Sequence, residues 1–225
     1  MMRFISVIAL VVVVCAADNH FKQPKFPCAY QMELTWYRGE SKVRQDNVEF
    51  NGRYCKVHMK VDVYEVVALL RPDIGGGENM TGFQFMDGEC EMEHVGMEEF
   101  AYVVDTYGSG MFRAVDDKKW DHKEKKTWRG QKCDHYYNDK KDSVSIYVYD
   151  DHIYGLVEED YEVTVKYKWE APMKDFVLSK KDYPKCYEKD KKVAEEPSED
   201  YVFCTASTMK VAFLAVFVAL VSALF

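Results

Sequence analysis

The chain has 225 residues, 30 of them basic and 38 acidic, for a formal net charge of −8, with 15 % aromatic residues. That balance leaves no net basic field to attract nucleic acid, and the length suffices for one domain burying about 70 % of its extended surface.

The N-terminus carries one charge, Arg3, then an apolar stretch from Phe4 to Val14 and the small residues Cys15, Ala16 and Ala17. This reads as a secretory signal peptide over residues 1–17, cut after Ala17, with an uncleaved anchor helix as the other reading. Cys15 then leaves with the signal. The six remaining cysteines, Cys28, Cys55, Cys90, Cys133, Cys186 and Cys204, are an even set in a secreted chain and predict three disulfides. Spacing alone does not choose among the 15 pairings. Nearest neighbours would join Cys28 to Cys55, Cys90 to Cys133 and Cys186 to Cys204.

A single extracellular β-rich domain is expected over residues 18–186. Tyr30, Met32, Leu34 and Trp36 alternate with Gln31, Glu33 and Thr35, the period of a half-buried strand. The alternation returns at Cys55, Val57, Met59, Val61 and Val63 and again at Tyr161, Val163, Val165, Tyr167 and Trp169. One-sided burial of this kind belongs to antiparallel sheets. Asn51-Gly52 and Asp87-Gly88 tolerate the positive φ of tight hairpin turns, and Asp150-Asp151 marks a third hairpin. Residues 66–70 are apolar throughout and predict a central strand or one covered on both faces. Asn79-Met80-Thr81, after Gly75-Gly76-Gly77, is an N-glycosylation acceptor in an exposed loop.

Helix is scarce. Met97, Phe100, Ala101 and Val104 share a helical face, although Tyr102 and Val103 suit a strand equally, and residues 172–180 could form a short helix carrying Phe176 inward. The fold class is therefore mainly β, with α+β as the variant: a curved antiparallel sheet or half-barrel with hairpins, few short helices and disulfides. Beyond Cys186 the run EKDKKVAEEPSED lacks a core pattern, so residues 187–207 are expected to be a charged stalk and anchor-attachment region. Residues 211–225 are apolar and span about 22 Å as a helix, short of a ~30 Å hydrocarbon core. With small residues before them, residues 208–225 read as a lipid-anchor (GPI) signal, Ala206 and Ser207 being the attachment candidates. The polar spacer is shorter than such signals usually have, and a tail-anchoring helix is the alternative. The expected place is the extracellular face of the plasma membrane.

Catalytic motifs are weak. Cys133-Asp134-His135 would put a thiol and an imidazole on one strand face, but an oxidising compartment favours a disulfide. Cys90 and His94, beside Glu91 and Glu93, have loose metal-ligand spacing without any paired motif, so a disulfide cysteine on an acidic strand is the simpler reading. Gly108-Ser109-Gly110 does not make a nucleophile elbow. The basic segment KKWDHKEKKTWRG, residues 118–130, is either a binding loop for an acidic partner or glycan, or a solvated hairpin whose Trp120 and Trp128 pack onto the sheet. No catalytic, cofactor or metal residue is assigned, and an enzyme is not expected.

From Trp128 onward, WRGQKCDHYYN, SIYVY, DYEVTVKYKW and FVLS followed by KCY together resemble the secreted β-rich domain found ahead of the protease domain in some invertebrate and slime-mould cysteine proteases. That domain is similar to the LolA-like lipoprotein-carrier half-barrels. The resemblance implies a curved antiparallel sheet around an apolar hollow, with an apolar ligand against Trp36, Tyr161, Tyr167 and Trp169. The protease half is absent, and no functional residue carries over. The functional expectation is a non-enzymatic, membrane-tethered surface protein that binds an apolar ligand or a surface partner through its sheet. The alternative is a coat or adhesion protein recognising an extracellular protein or glycan through exposed loops.

Overall fold

The computed structural model describes residues 20–75, 79–112, 115, 118–139, 144–158 and 161–202. Residues 1–17, expected as a signal peptide, Cys204, Ala206, Ser207 and residues 208–225 lie outside the described residues.

The first strands are β1 (Ala29–Arg38), β2 (Ser41–Asn51), β3 (Tyr54–Val61) and β4 (Tyr64–Arg71), followed by a single helical turn, α1 (Pro72–Gly75). Then come β5 (Met80–Met86), β6 (Glu89–Val95) and helix α2 (Met97–Tyr107). The second half holds β7 (His122–Trp128), β8 (Gln131–Tyr137), β9 (Ser145–Tyr149), β10 (His152–Glu158), β11 (Tyr161–Lys168) and α3 (Pro184–Lys189). All eleven strands form one open antiparallel sheet in the order β6-β5-β4-β3-β2-β1-β11-β10-β9-β8-β7. The mainly β expectation holds, as do the three predicted hairpin turns. Gly52 has φ 58°, Asp87 and Gly88 have 52° and 82°, and Asp150 and Asp151 have 50° and 60°, the left-handed values those turns require.

The chain builds β1 to β6 outward from the middle, crosses to the opposite edge, and returns through β7 to β11 to pair β11 with β1. The crossing carries α2, whose first turn holds Glu98 and Glu99 where the helix dipole favours acids. Its Met97, Phe100, Val103, Val104 and Tyr107 pack on the inner face of the sheet with Tyr30, Met32, Leu34, Val48, Phe50 and Val57. The end of α2 lies close on the sheet, since a Cβ on Gly108 would sit 2.9 Å from the Tyr30 hydroxyl and 3.1 Å from Phe50.

The strand over residues 66–70 is interior and covered on both sides. Its Leu70 and Ala68 join the inner core, while Val67 and Leu69 join a second core on the outer face. That second core is closed by the C-terminal segment, through Ala171, Met173, Phe176, Leu178, Cys186 and Val193. The expected stalk is therefore corrected: through Val202 the chain lies on the sheet as a strap. The reason is Arg71, 1 % exposed, whose guanidinium grips Asp73 through Nε and Nη2 at 2.8 Å each and donates through Nη1 to the carbonyls of Phe176 and Glu195 at 3.1 Å. The Tyr54 hydroxyl adds a hydrogen bond to the Ser198 carbonyl at 2.6 Å. A charged run with few apolar residues still docks when backbone carbonyls, absent from any hydropathy pattern, provide the contacts.

The nearest-neighbour disulfides are also corrected. Cys90 joins Cys186 across 96 residues, pinning the strap to edge strand β6. Cys55 and Cys133 are free, buried thiols on separate faces of the sheet, and Cys28 is disulfide-bonded to a partner outside the described residues.

Candidate functional site

The expected apolar wall is not assembled. Trp36 pairs across the sheet with Val163 and packs into the inner core, its Nε1 donating to Asp46 at 3.0 Å under the Arg44 guanidinium. Tyr161, 41 % exposed, shares that end of β11 and meets Arg38. Tyr167 and Trp169 stack at 5.0 Å at the other end, roughly 20 Å away along the strand. Tyr167 is partly buried against Phe26 and Phe112 and donates to the Ile153 carbonyl at 2.8 Å, while Trp169 is 45 % exposed at the rim. The inner core that Trp36 and Tyr167 join is filled by other rings, among them Phe21, Phe100, Phe112 and Trp120.

A different site forms on the outer face, where β11, β1 and β2 make the floor of a groove of about 210 Å³. Two rungs of the sheet supply it: Lys168, Gln31 and Glu49 stand side by side, and Lys166, Glu33 and Asn47 form the next row. Alternation puts these polar residues outward because Met32, Val48 and Tyr167 face the core. The short 3-10 turn Met173–Asp175 forms a rim, because Gln31 Nε2 donates to Asp175 Oδ2 and Lys56 Nζ to the Asp175 carbonyl, each at 2.8 Å. That rim takes Glu49 out of solvent. Its Oε2 is buried without a hydrogen-bond partner, and burial pushes its pKa up to about 7, opposed by Lys56 and Lys168 and reinforced by Asp175. Lys168 is held charged by its 2.7 Å pair with Glu170, and Lys166 reaches Glu33 at 3.2 Å. Glu49 drew no functional reading from sequence, being one acid in an ordinary strand. What singles it out is a turn more than a hundred residues downstream.

Cys133 and His135 do share a face of β8, but in an aromatic stack. Trp128, Tyr147, His135, Tyr137 and His122 lie ring on ring at 4.5, 4.4, 4.7 and 4.8 Å. His135 Nδ1 is 3.0 Å from Glu124, yet burial still lowers its pKa, and burial raises that of the Cys133 thiol. Both shifts favour neutral groups, the reverse of an activated thiolate. Trp128 lies so near β10 that a Cβ on Gly155 would be 2.1 Å from its Cζ3.

Trp120 and Trp128 pack back onto the sheet, 1 % and 9 % exposed, as the solvated-hairpin reading of the basic segment expects. Glu91 and Glu93 face the side of β6 opposite Cys90 and His94, so the loose metal-ligand set is split. Among the described residues no group of three or more His, Cys, Asp or Glu is placed to hold a metal ion. Asn79 is exposed ahead of β5. Among the described residues no helix is long and apolar enough to cross a membrane. No protein-family model matches the chain, and no curated protein matches it.

Proposed function

We propose that this chain is a non-enzymatic, membrane-tethered cell-surface domain that binds a polyhydroxylated ligand, such as the end of a glycan, in the outer groove of its curved sheet. The observation that carries the reading is Glu49, whose buried oxygen lacks a hydrogen-bond partner inside a groove whose other polar side chains are Gln31, Asn47, Glu33, Lys166 and Lys168. Gln31, Asn47 and a carboxyl near neutrality both donate and accept, as each sugar hydroxyl does. The groove holds about seven waters' worth of volume, enough for one sugar ring. The tether rests on the apolar run at residues 211–225 and the signal at residues 1–17. The open antiparallel sheet with a helix against one face supports the likeness to lipoprotein-carrier half-barrels, whereas the packed inner face argues against an apolar cargo there.

The test is thermal melting of the purified chain with glucose, N-acetylglucosamine or N-acetylneuraminic acid at millimolar concentration. Saturation at about 100 times Kd would stabilise the fold by about 2.7 kcal/mol. The expected result is a raised Tm with one of the three, lost in Asn47→Ala and Lys166→Ala. A Tm unmoved by all three overturns the glycan reading.

A further inference from the structure

The open sheet leaves two edge strands, β6 and β7, and their charges are opposite. Each pairs on one side alone, β6 with β5 and β7 with β8, and among the described residues no other backbone hydrogen bond reaches them. In β6, Glu89, Glu91 and Glu93 are exposed and pair with Met86, Gln84 and Gly82, which continue the row of inner-face residues Val66, Ala68 and Leu70. None of the three glutamates has an ion-pair partner among the described residues. In β7, Lys123 and Lys125 point to the same inner side: Lys123 pairs with Tyr136 of the inner core, its Nζ 4.9 Å from that ring. Both lysines reach Asp134, Lys125 is 84 % exposed, and β7 as a strand carries Lys123, Lys125 and Lys126 against Glu124 alone.

We propose that copies of this chain associate head to tail, β6 of one molecule lying beside β7 of the next, with Glu89, Glu91 and Glu93 against Lys123 and Lys125. Geometry permits it. In a sheet of eleven successively antiparallel strands the first and last run in the same direction, so a copy translated along the sheet presents β6 parallel to β7 with both inner faces on one side. Lysines on an edge block pairing with a like edge. Here the block acts against β7 on β7, and the glutamates act against β6 on β6, so repulsion at both wrong contacts selects the mixed one. Such an interface is heterologous and grows into a ring or filament rather than stopping at a dimer. Translation also keeps every C-terminal strap pointing the same way, as copies tethered to one membrane require.

The experiment is sedimentation of the purified full chain across a concentration series in low salt and in 1 M salt, where screening falls to about 3 Å. Wild type is expected to associate in low salt and dissociate in high salt. Lys123→Glu with Lys125→Glu, and separately Glu89→Lys, Glu91→Lys and Glu93→Lys, should each weaken self-association about tenfold or more. Mixing the two variants, or combining all five changes in one chain, should restore it, which also shows that the variants fold. A wild type that stays monomeric overturns the proposal. So does association that survives either swap, or a combined variant that fails to recover.

Discussion

Glu49 shows how one side chain acquires a property its neighbours in sequence do not predict. Its folded pKa of about 7 lies above the ordinary carboxylate value of 4.5, so between those pH values the native state binds more protons than the unfolded one. Stability contributed by the protonated form is present below pH 4.5 and lost as pH rises through 7. Glu49→Gln is therefore expected to match wild type near pH 4.5 and to melt about 3 °C or more higher at pH 8, read by thermal denaturation across that range. Equal melting temperatures at pH 8 would mean that Glu49 is hydrated. The groove itself was half visible in sequence. Alternation placed Gln31 and Glu33 on the polar side of their strand, yet no local pattern could bring Lys166 and Lys168 beside them or bury Glu49 next to Asp175. Gly155 is similar: only the Trp128 indole above it explains why a side chain there does not fit.

The strap is the element where hydropathy reading failed. Residues 187–202 bury only Val193 and Pro197, and the run is too charged to look like core. Its hold comes from Arg71, a buried cation whose removal would leave Asp73 uncompensated and strip donors from two carbonyls. Arg71→Ala is expected to cost about 3–5 kcal/mol in denaturant unfolding. It should also expose the strap at Lys191 and Lys192 to trypsin before the strands are cut. Cutting at the wild-type rate would show that the disulfide alone holds the strap. By contrast, the local spacing of Met97, Phe100, Ala101 and Val104 already offered a helical face beside a strand reading, and α2 takes the helix.

At the scale of the molecule, the sheet and the strap together set how a tethered domain would be presented. The Cys90–Cys186 bridge and Arg71 deliver the chain to Val202 on the outer face, ahead of the segment proposed as an anchor signal. If that signal is exchanged for a lipid, a phosphatidylinositol-specific phospholipase should release the protein from intact cells into the medium. Retention beside a released control would instead favour a tail helix. The sequence by itself determined the mainly β class, the alternating strands β1, β3 and β11 and three hairpin turns, because period-two burial and positive φ are properties of a few adjacent residues. Only the tertiary structure decided that β11 meets β1, that β6 and β7 become the edges, that Cys186 finds Cys90, and that Glu49 is shut from water. Each of those depends on contacts between segments roughly a hundred or more residues apart, where chain entropy is overcome by the summed packing of the whole sheet rather than by any local preference.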